Sequence, residues 1–336
     1  MKKYRRNIII LVLVSLFIMY LIMKDNFSEI IGYLLGANIL FLFIGLMFMV
    51  LNILFQSFSM HLYLKEIDKN YKFKDTFILM FSAQFFNGIT PFSSGGQPFQ
   101  MYLLKKQGIK LTESGNALLQ NFVTYQLSLI IFGTFSVVAN NYFNIIPDSS
   151  LLRKIVVIGY IVNIVVLLLI LFLGKAKSIN TKLFNKIFNF IFSFKFIKNR
   201  EKLKETAISK IDEFYNSSKY FKNNKLIFFE SLVFNMASLL FMYVIPVFIF
   251  YSVSEFNNLT LLDSIICSGY TYFVGSFVPI PGGTGGLEYG FLEFFRGFTT
   301  PALLSACMIL WRFITYYLTM ILGAISLIFI KKKVKE

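Results

Sequence analysis

Long apolar runs alternate with short polar connections along the chain, and the runs come in two kinds. About 20 apolar residues carry a helix across a bilayer. Six uninterrupted runs are near or above that length, at about 7–23, 36–64, 112–139, 151–173, 226–253 and 302–330. The first follows the basic start Lys2, Lys3, Arg5 and Arg6. No small-residue cleavage site follows it, so it reads as an uncleaved span rather than a signal peptide. Two other runs are broken in the middle. Residues 76–104 are interrupted by Thr90-Pro91-Phe92-Ser93-Ser94-Gly95-Gly96-Gln97-Pro98, and residues 261–298 by Pro279-Ile280-Pro281-Gly282-Gly283-Thr284-Gly285-Gly286. Half-length apolar pieces around a Gly/Pro break predict re-entrant hairpins, against the alternative of one kinked crossing each.

Composition agrees with this pattern. Of 336 residues, 56% are hydrophobic, 15% are charged and 42 are Phe, where a soluble protein carries about 25% charged residues. One soluble core cannot hide that much apolar surface, and disorder is excluded on the same ground. The expected fold class is an all-α polytopic membrane protein with about six full spans and two re-entrant broken-helix hairpins.

Charge sets the orientation. The chain has 33 Lys+Arg against 17 Asp+Glu, a net charge of +16. A nucleic-acid binder would carry such an excess on a folded soluble surface; here it belongs in loops beside the membrane, and no nucleic-acid partner is expected. With both broken runs as hairpins and a cytoplasmic N-terminus, 28 of the 33 basic residues face the cytoplasm, and the outer loops 140–150 and 254–260 hold none. Making the first break a single crossing moves the 13 basic residues of 174–225 outside. Making only the second one a crossing puts the Lys331-Lys332-Lys333 tail outside. Both violate the positive-inside rule.

The expected organisation is one integral membrane domain over 1–336. It comprises a first span and outer loop (1–35), a first repeat (36–139), a connecting span (140–173), a basic cytoplasmic or interfacial segment (174–225), a second repeat (226–330) and a cytoplasmic tail (331–336). The two repeats have the same order of elements in opposite orientations, and matched interrupted segments of this kind point to a transport site. Within 174–225, Leu183, Ile187, Ile191 and Phe194 recur at helical spacing among Lys182, Lys186 and Lys195. A second stripe is Leu203, Ala207, Ile211 and Phe214. Helices lying on an anionic membrane surface and a plain solvated connector both fit.

A half-helix begins after each break. Pro98 suits the first helical position. The glycines leave backbone N–H groups accessible where the helix dipole is positive, the arrangement that binds phosphate. Candidate lipid-phosphate ligands are therefore Gly95, Gly96, Gln97, Gly282, Gly283, Thr284, Gly285 and Gly286. Thr90, Pro91, Pro98, Pro279 and Pro281 shape the breaks. On the plainer reading, Gly and Pro only let hairpin tips turn and pack. Ionisable groups inside apolar spans are costly, which makes Glu288, Arg312, Glu293 and Arg296 pathway candidates. Glu288 and Arg312 equally fit a structural ion pair, and Glu293 and Arg296 sit toward the interface. Gln84, Asn87, Gln120, Asn121 and Tyr125 would line the first hairpin and the following span, where interhelical bonding is the commoner role. His61 is the single histidine, and Cys267 and Cys307 fall in apolar runs. No metal spacing, disulfide framework or cofactor is expected.

The paired motifs Pro279-x-Pro281-Gly282-Gly283-x-Gly285-x-x-Glu288 and Thr90-Pro91…Gly95-Gly96-x-Pro98 resemble the transmembrane domain of lysylphosphatidylglycerol synthases, the flippase-type domain of the bacterial multiple peptide resistance factor. The resemblance covers nearly the whole chain. It implies movement of an aminoacylated, anionic or polyprenyl-linked lipid between leaflets of the bacterial cytoplasmic membrane, with membrane phospholipids as partners. Bifunctional members transfer lysine from lysyl-tRNA to phosphatidylglycerol through a C-terminal soluble domain. This sequence stops at Glu336, six residues past the last span, so lysyltransferase activity is not expected of it alone.

Three functions follow. A lipid transporter leads; no G-x-x-x-x-G-K-[ST] motif supplies a nucleotide drive. An intramembrane enzyme would lack H-E-x-x-H and would have to pair a serine with His61. The third is a membrane component of lysylphosphatidylglycerol synthesis acting with a separate lipid-modifying enzyme, or as a homo-oligomer.

Overall fold

A computed structural model describes residues 20, 24, 26–146, 150–175, 224–254, 258–275, 278 and 280–330. All regular structure among them is helical. The run 7–23 apart from Tyr20, the interfacial stripes of 176–223, Pro279 and the tail 331–336 lie outside the described residues.

Helix α1 is Phe27–Leu35 and α2 is Ile39–Ile67. Then α3, Phe73–Gly88, leads into a 3-10 turn at Pro91–Ser93 and into α4, Gly96–Lys106. Helix α5 is Leu111–Phe143, α6 is Ser150–Lys175 and α7 is Lys225–Val253. In the second half α8, Leu261–Gly275, leads into a 3-10 turn at Pro281–Gly283 and into α9, Gly286–Phe294. The last segment is α10, Pro301–Arg312, a π-helical turn at Phe313–Leu318, and α11, Thr319–Ser326.

Among the described residues four segments are long and apolar enough to cross a membrane: Ile39–Ile67, Leu111–Phe143, Lys225–Val253 and Pro301–Phe329. Each lies within four residues of its sequence-predicted range. At 1.5 Å per residue, α2 is roughly 43 Å long, more than the ~30 Å hydrocarbon core, whereas α3 and α8 reach only about 22–24 Å and α4 and α9 about 13–16 Å. The broken runs are thus pairs of half-length helices joined by tight turns. Asn38 caps α2 by accepting from the Leu40 N–H, Asn224 caps α7 by accepting from the Ile227 N–H, and Asn144 ends α5 in the left-handed region at φ 49°.

Packing repeats across the two halves. Helices α2 and α7 form the most extensive contact, lined by Phe48, Phe55 and Phe58 against Phe234, Phe241 and Phe248. Helix α3 packs on α2 as α8 packs on α7, and α4 on α5 as α9 on α10. Across the halves, α3 lies on α11 and α8 lies on α5. Small residues bring these crossing helices close. A methyl group at Gly323 would stand 2.8 Å from the Phe81 carbonyl oxygen and 2.9 Å from the Phe85 nitrogen. Gly133 faces the Phe273 ring in the same way. On α6, by contrast, Val157, Ile158, Ile161, Val165, Leu168 and Leu169 are exposed, an apolar surface suited to lipid.

Two features depart from the sequence reading. The connection after residue 23 contains α1, whose Ile30 is wholly buried and which packs on α10. The last span is interrupted by the π turn directly after Arg312. There the Thr319 hydroxyl donates to the Ile314 carbonyl, one residue beyond the α-helical register.

Candidate functional site

The two breaks touch and open on the same backbone turn, then diverge: Gly95 is right-handed at φ -80° whereas Gly285 has φ 91°. Pro91-Phe92-Ser93-Ser94-Gly95-Gly96 superimposes in sequence order on Pro281-Gly282-Gly283-Thr284-Gly285-Gly286. In each, proline opens a 3-10 turn and the next two residues have positive φ: 54° and 51° at Phe92 and Ser93, 66° and 64° at Gly282 and Gly283. The fourth residue folds back on the proline. Ser94 donates its N–H and its hydroxyl to the Pro91 carbonyl at 3.2 and 2.8 Å. Thr284 donates the same two groups to the Pro281 carbonyl at 3.3 and 2.7 Å. The following Gly-Gly starts the half-helix. At Gly282 and Gly283 the left-handed backbone is free of penalty; Phe92 and Ser93 hold it at a cost of about 1–2 kcal/mol each.

The breaks differ in what they present. Pro91, Phe92, Ser93, Ser94, Gln97 and Pro98 are exposed, so the first break is open. Gly282, Gly283, Thr284, Gly286 and Glu288 are buried. Three of the glycine N–H groups are bonded to side-chain oxygens of the chain. Gly95 N–H donates to the Thr90 hydroxyl at 2.8 Å and Gly96 N–H to Asn87 Oδ1 at 2.9 Å. Gly285 N–H donates to Glu288 Oε2 at 2.7 Å. A side-chain oxygen thus already sits where each half-helix would hold an anion. In the second break that oxygen belongs to a carboxylate.

Glu288 and Arg312 meet. Oε1 and Nε are 2.7 Å apart, and the residues are 5% and 3% exposed. Arg312 Nη2 also donates to the Gly282 carbonyl at 3.1 Å and to the Thr284 hydroxyl at 3.3 Å. Its guanidinium lies over the Tyr316 ring, 4.5 Å from the centroid, a geometry worth about 2 kcal/mol when desolvated. The Tyr316 hydroxyl then donates to the Gly88 carbonyl at 2.8 Å, at the end of α3. One chain of contacts therefore runs from the first hairpin through Tyr316 and Arg312 to the buried second break. Tyr316 lies four residues after Arg312, on the same side of the helix.

Of the residues singled out in the sequence, Gly282, Thr284, Gly285, Glu288 and Arg312 form one contiguous network, with Gly283 and Gly286 beside it. Thr90, Pro91, Gly95, Gly96, Gln97 and Pro98 form the adjoining open break. Pro281 opens the second turn. Glu293 and Arg296 are drawn elsewhere: they pair with each other at 3.5 Å at the far end of α9, partly exposed. His61 Nδ1 is 2.9 Å from the Thr76 hydroxyl. Tyr316 was missed, and so were the capping roles of Asn87 and Thr90. The shared Pro-x-x-Ser/Thr-Gly-Gly pattern was the available signal for the matched turns.

A family model described as the lysylphosphatidylglycerol synthase TM region matches residues 7–323. A UPF0104 membrane protein of Methanocaldococcus jannaschii is 26% identical over an alignment that covers 99% of this chain and 98% of that protein.

Proposed function

The chain belongs to the lysylphosphatidylglycerol synthase transmembrane family and is a multi-pass membrane protein, and on that premise we propose that it moves a phospholipid between leaflets. The observation that carries this reading is the buried Glu288–Arg312 pair, seated where the two breaks meet. A charged pair inside an apolar bundle is expensive and weak evidence for stability alone. It suits cargo that carries charge through the same place.

The matched turns and mirrored packing support two repeats, 36–139 and 226–330, in inverted orientation, with the hairpins entering from opposite sides. In the proposed cycle, a headgroup phosphate enters by the open first break. It replaces the Glu288 carboxylate at the Gly285 N–H and at Arg312, both of which suit any anionic oxygen. Glu288 is thereby released to take a proton or an amine of the headgroup. Lipid tails remain against the apolar outer faces of the helices.

The test is leaflet exchange of headgroup-labelled lipids in proteoliposomes, across phosphatidylglycerol, phosphatidylethanolamine, lysylphosphatidylglycerol and a polyprenyl phosphate. Exchange above that of empty vesicles for at least one lipid, reduced at least tenfold by Arg312→Ala, is expected. Exchange no faster than in empty vesicles for every lipid overturns the reading.

A further inference from the structure

The packing fixes the depth of the first break. The Gly88 carbonyl, at the end of α3, accepts from the Tyr316 hydroxyl. Tyr316 stands near the middle of the membrane-crossing segment Pro301–Phe329, 15 residues after its start and 13 before its end. The break that follows Gly88 therefore lies near mid-depth in the bilayer. Phe92, Ser93, Ser94 and Gln97 are nevertheless exposed there. Irregular backbone is not exposed to lipid within the hydrocarbon layer; at that depth it is buried in protein or lines a water-filled space. The first break is not buried, which leaves the second case.

The exposure continues along α4. Gln97, Pro98, Tyr102, Lys105 and Lys106 are exposed, whereas Gly96, Gln100, Leu103 and Leu104 are buried. At about 3.6 residues per turn the exposed five share one side of the helix and the buried four the other. The 11 residues of α4 make a length of about 16 Å, roughly half of the ~30 Å hydrocarbon core. The exposed stripe thus spans one leaflet, from the break to the end of the helix. Its mouth is cationic. Lys106 Nζ lies over the Tyr102 ring, 4.6 Å from the centroid. Among the described residues neither Lys105 nor Lys106 forms an ion pair, whereas Lys110 stands 3.9 Å from Glu113. The second half differs. Leu287, Glu288, Leu292 and Phe295 match Gln97, Pro98, Tyr102 and Lys105 in order, and none of them is exposed.

We propose that the exposed face of α4 is a water-filled half-channel, entered past Lys105 and Lys106 and ending at the first break, and that its occupant is the phosphate of a lipid headgroup while the acyl tails stay in the bilayer. Two ammonium groups, the Gln97 amide and the Ser93 hydroxyl offer hydrogen-bond donors along the stripe, and none of its exposed side chains is a carboxylate. The identity of the occupant rests on the leaflet-exchange reading; the channel itself does not.

Cysteine accessibility in the full chain is the experiment, since native Cys267 and Cys307 are buried. In proteoliposomes, Gln97→Cys and Tyr102→Cys should react with a charged, membrane-impermeant methanethiosulfonate from the same side as Lys110→Cys. The reactive thiolate forms where water reaches the sulfur. Leu104→Cys, buried on the same helix, and Ile161→Cys, exposed on the apolar face of α6, should therefore be at least about tenfold slower. Gln97→Cys as slow as Ile161→Cys would overturn the channel. In detergent, dihexanoylphosphatidylglycerol should slow the labelling of Gln97→Cys saturably. Adding Lys105→Gln/Lys106→Gln should raise the half-protecting concentration at least about tenfold, the loss expected when hydrogen bonds to a charged group are removed. Labelling unaffected by that lipid, or slowed equally by inorganic phosphate, would overturn the headgroup as occupant. Labelling and protection as expected, in a protein that exchanges no lipid between leaflets, would uphold the channel and overturn transport instead.

Discussion

Removing Glu288 and Arg312 singly and together separates a pair that holds the fold from one that handles cargo. Arg312→Met leaves the Glu288 carboxylate at 5% exposure with the Gly285 N–H as its remaining bonded partner. Breaking a buried pair from one side costs about 3–5 kcal/mol. Glu288→Gln is milder, because the amide oxygen still accepts from Gly285 and Arg312 keeps the Gly282 carbonyl, the Thr284 hydroxyl and the Tyr316 ring. About 2–3 kcal/mol is expected there. The double variant Glu288→Gln/Arg312→Met has no lone buried charge, so its stability should return to within about 1–2 kcal/mol of the parent, a clear non-additivity. Chemical denaturation in detergent measures the stabilities, and leaflet exchange in proteoliposomes measures transport. Recovered stability with transport still lost is the expected result. A double variant that also transports at the parental rate would refute the role given to Arg312.

Five further outcomes test the architecture. Gly323→Leu must push α11 off the α3 backbone and should cost at least about 1–3 kcal/mol. Gly32→Ala, on an exposed face of α1 with open space around it, should be neutral or stabilising by up to about 1 kcal/mol in the same unfolding assay. Phe92→Gly relieves a left-handed residue whose side chain is 59% exposed, and should stabilise by about 1 kcal/mol by denaturant titration. Tyr316→Phe removes the bond to the Gly88 carbonyl and should cost about 0.5–1.5 kcal/mol, with slower leaflet exchange because the hairpins are uncoupled. Under maleimide treatment of intact cells, buried Cys267 and Cys307 should stay unlabelled while Tyr142→Cys, at an exposed position in the last turn of α5, reacts from outside. Labelling of Tyr142→Cys only after permeabilisation would reverse the orientation drawn from the basic residues.

The spans were legible because hydropathy over about 20 residues is a bulk property of the sequence. The breaks were legible because Gly and Pro cluster where half-length helices end. The meeting of Glu288 and Arg312 was anticipated, since charges on neighbouring apolar segments have few other partners. Tyr316 gave no such signal: one tyrosine among many on apolar spans gains a role only once the Gly88 carbonyl it bonds is known to lie opposite. Phe92 and Ser93 were equally silent, because their left-handed backbone is imposed by the matched turn and not by their own preferences. Of the hydrogen-bonded cluster of Ser59, Asn121, Thr124, Ser231 and Asn235 between α2, α5 and α7, only Asn121 stood out, because hydroxyls and amides scattered on apolar helices become a cluster only once the faces that meet are known.

The pair of opposite charges at the second break has an electrical consequence. One guanidinium and one carboxylate complement a headgroup with one phosphate and one amine. Under the proposed exchange both partners are swapped at once, and the interior stays electroneutral throughout. Moving a full charge against the membrane potential costs about 2.3 kcal/mol per 100 mV. Zwitterionic cargo escapes that cost, so its passage through this site is indifferent to membrane voltage, whereas a lipid with net charge has to work with or against it.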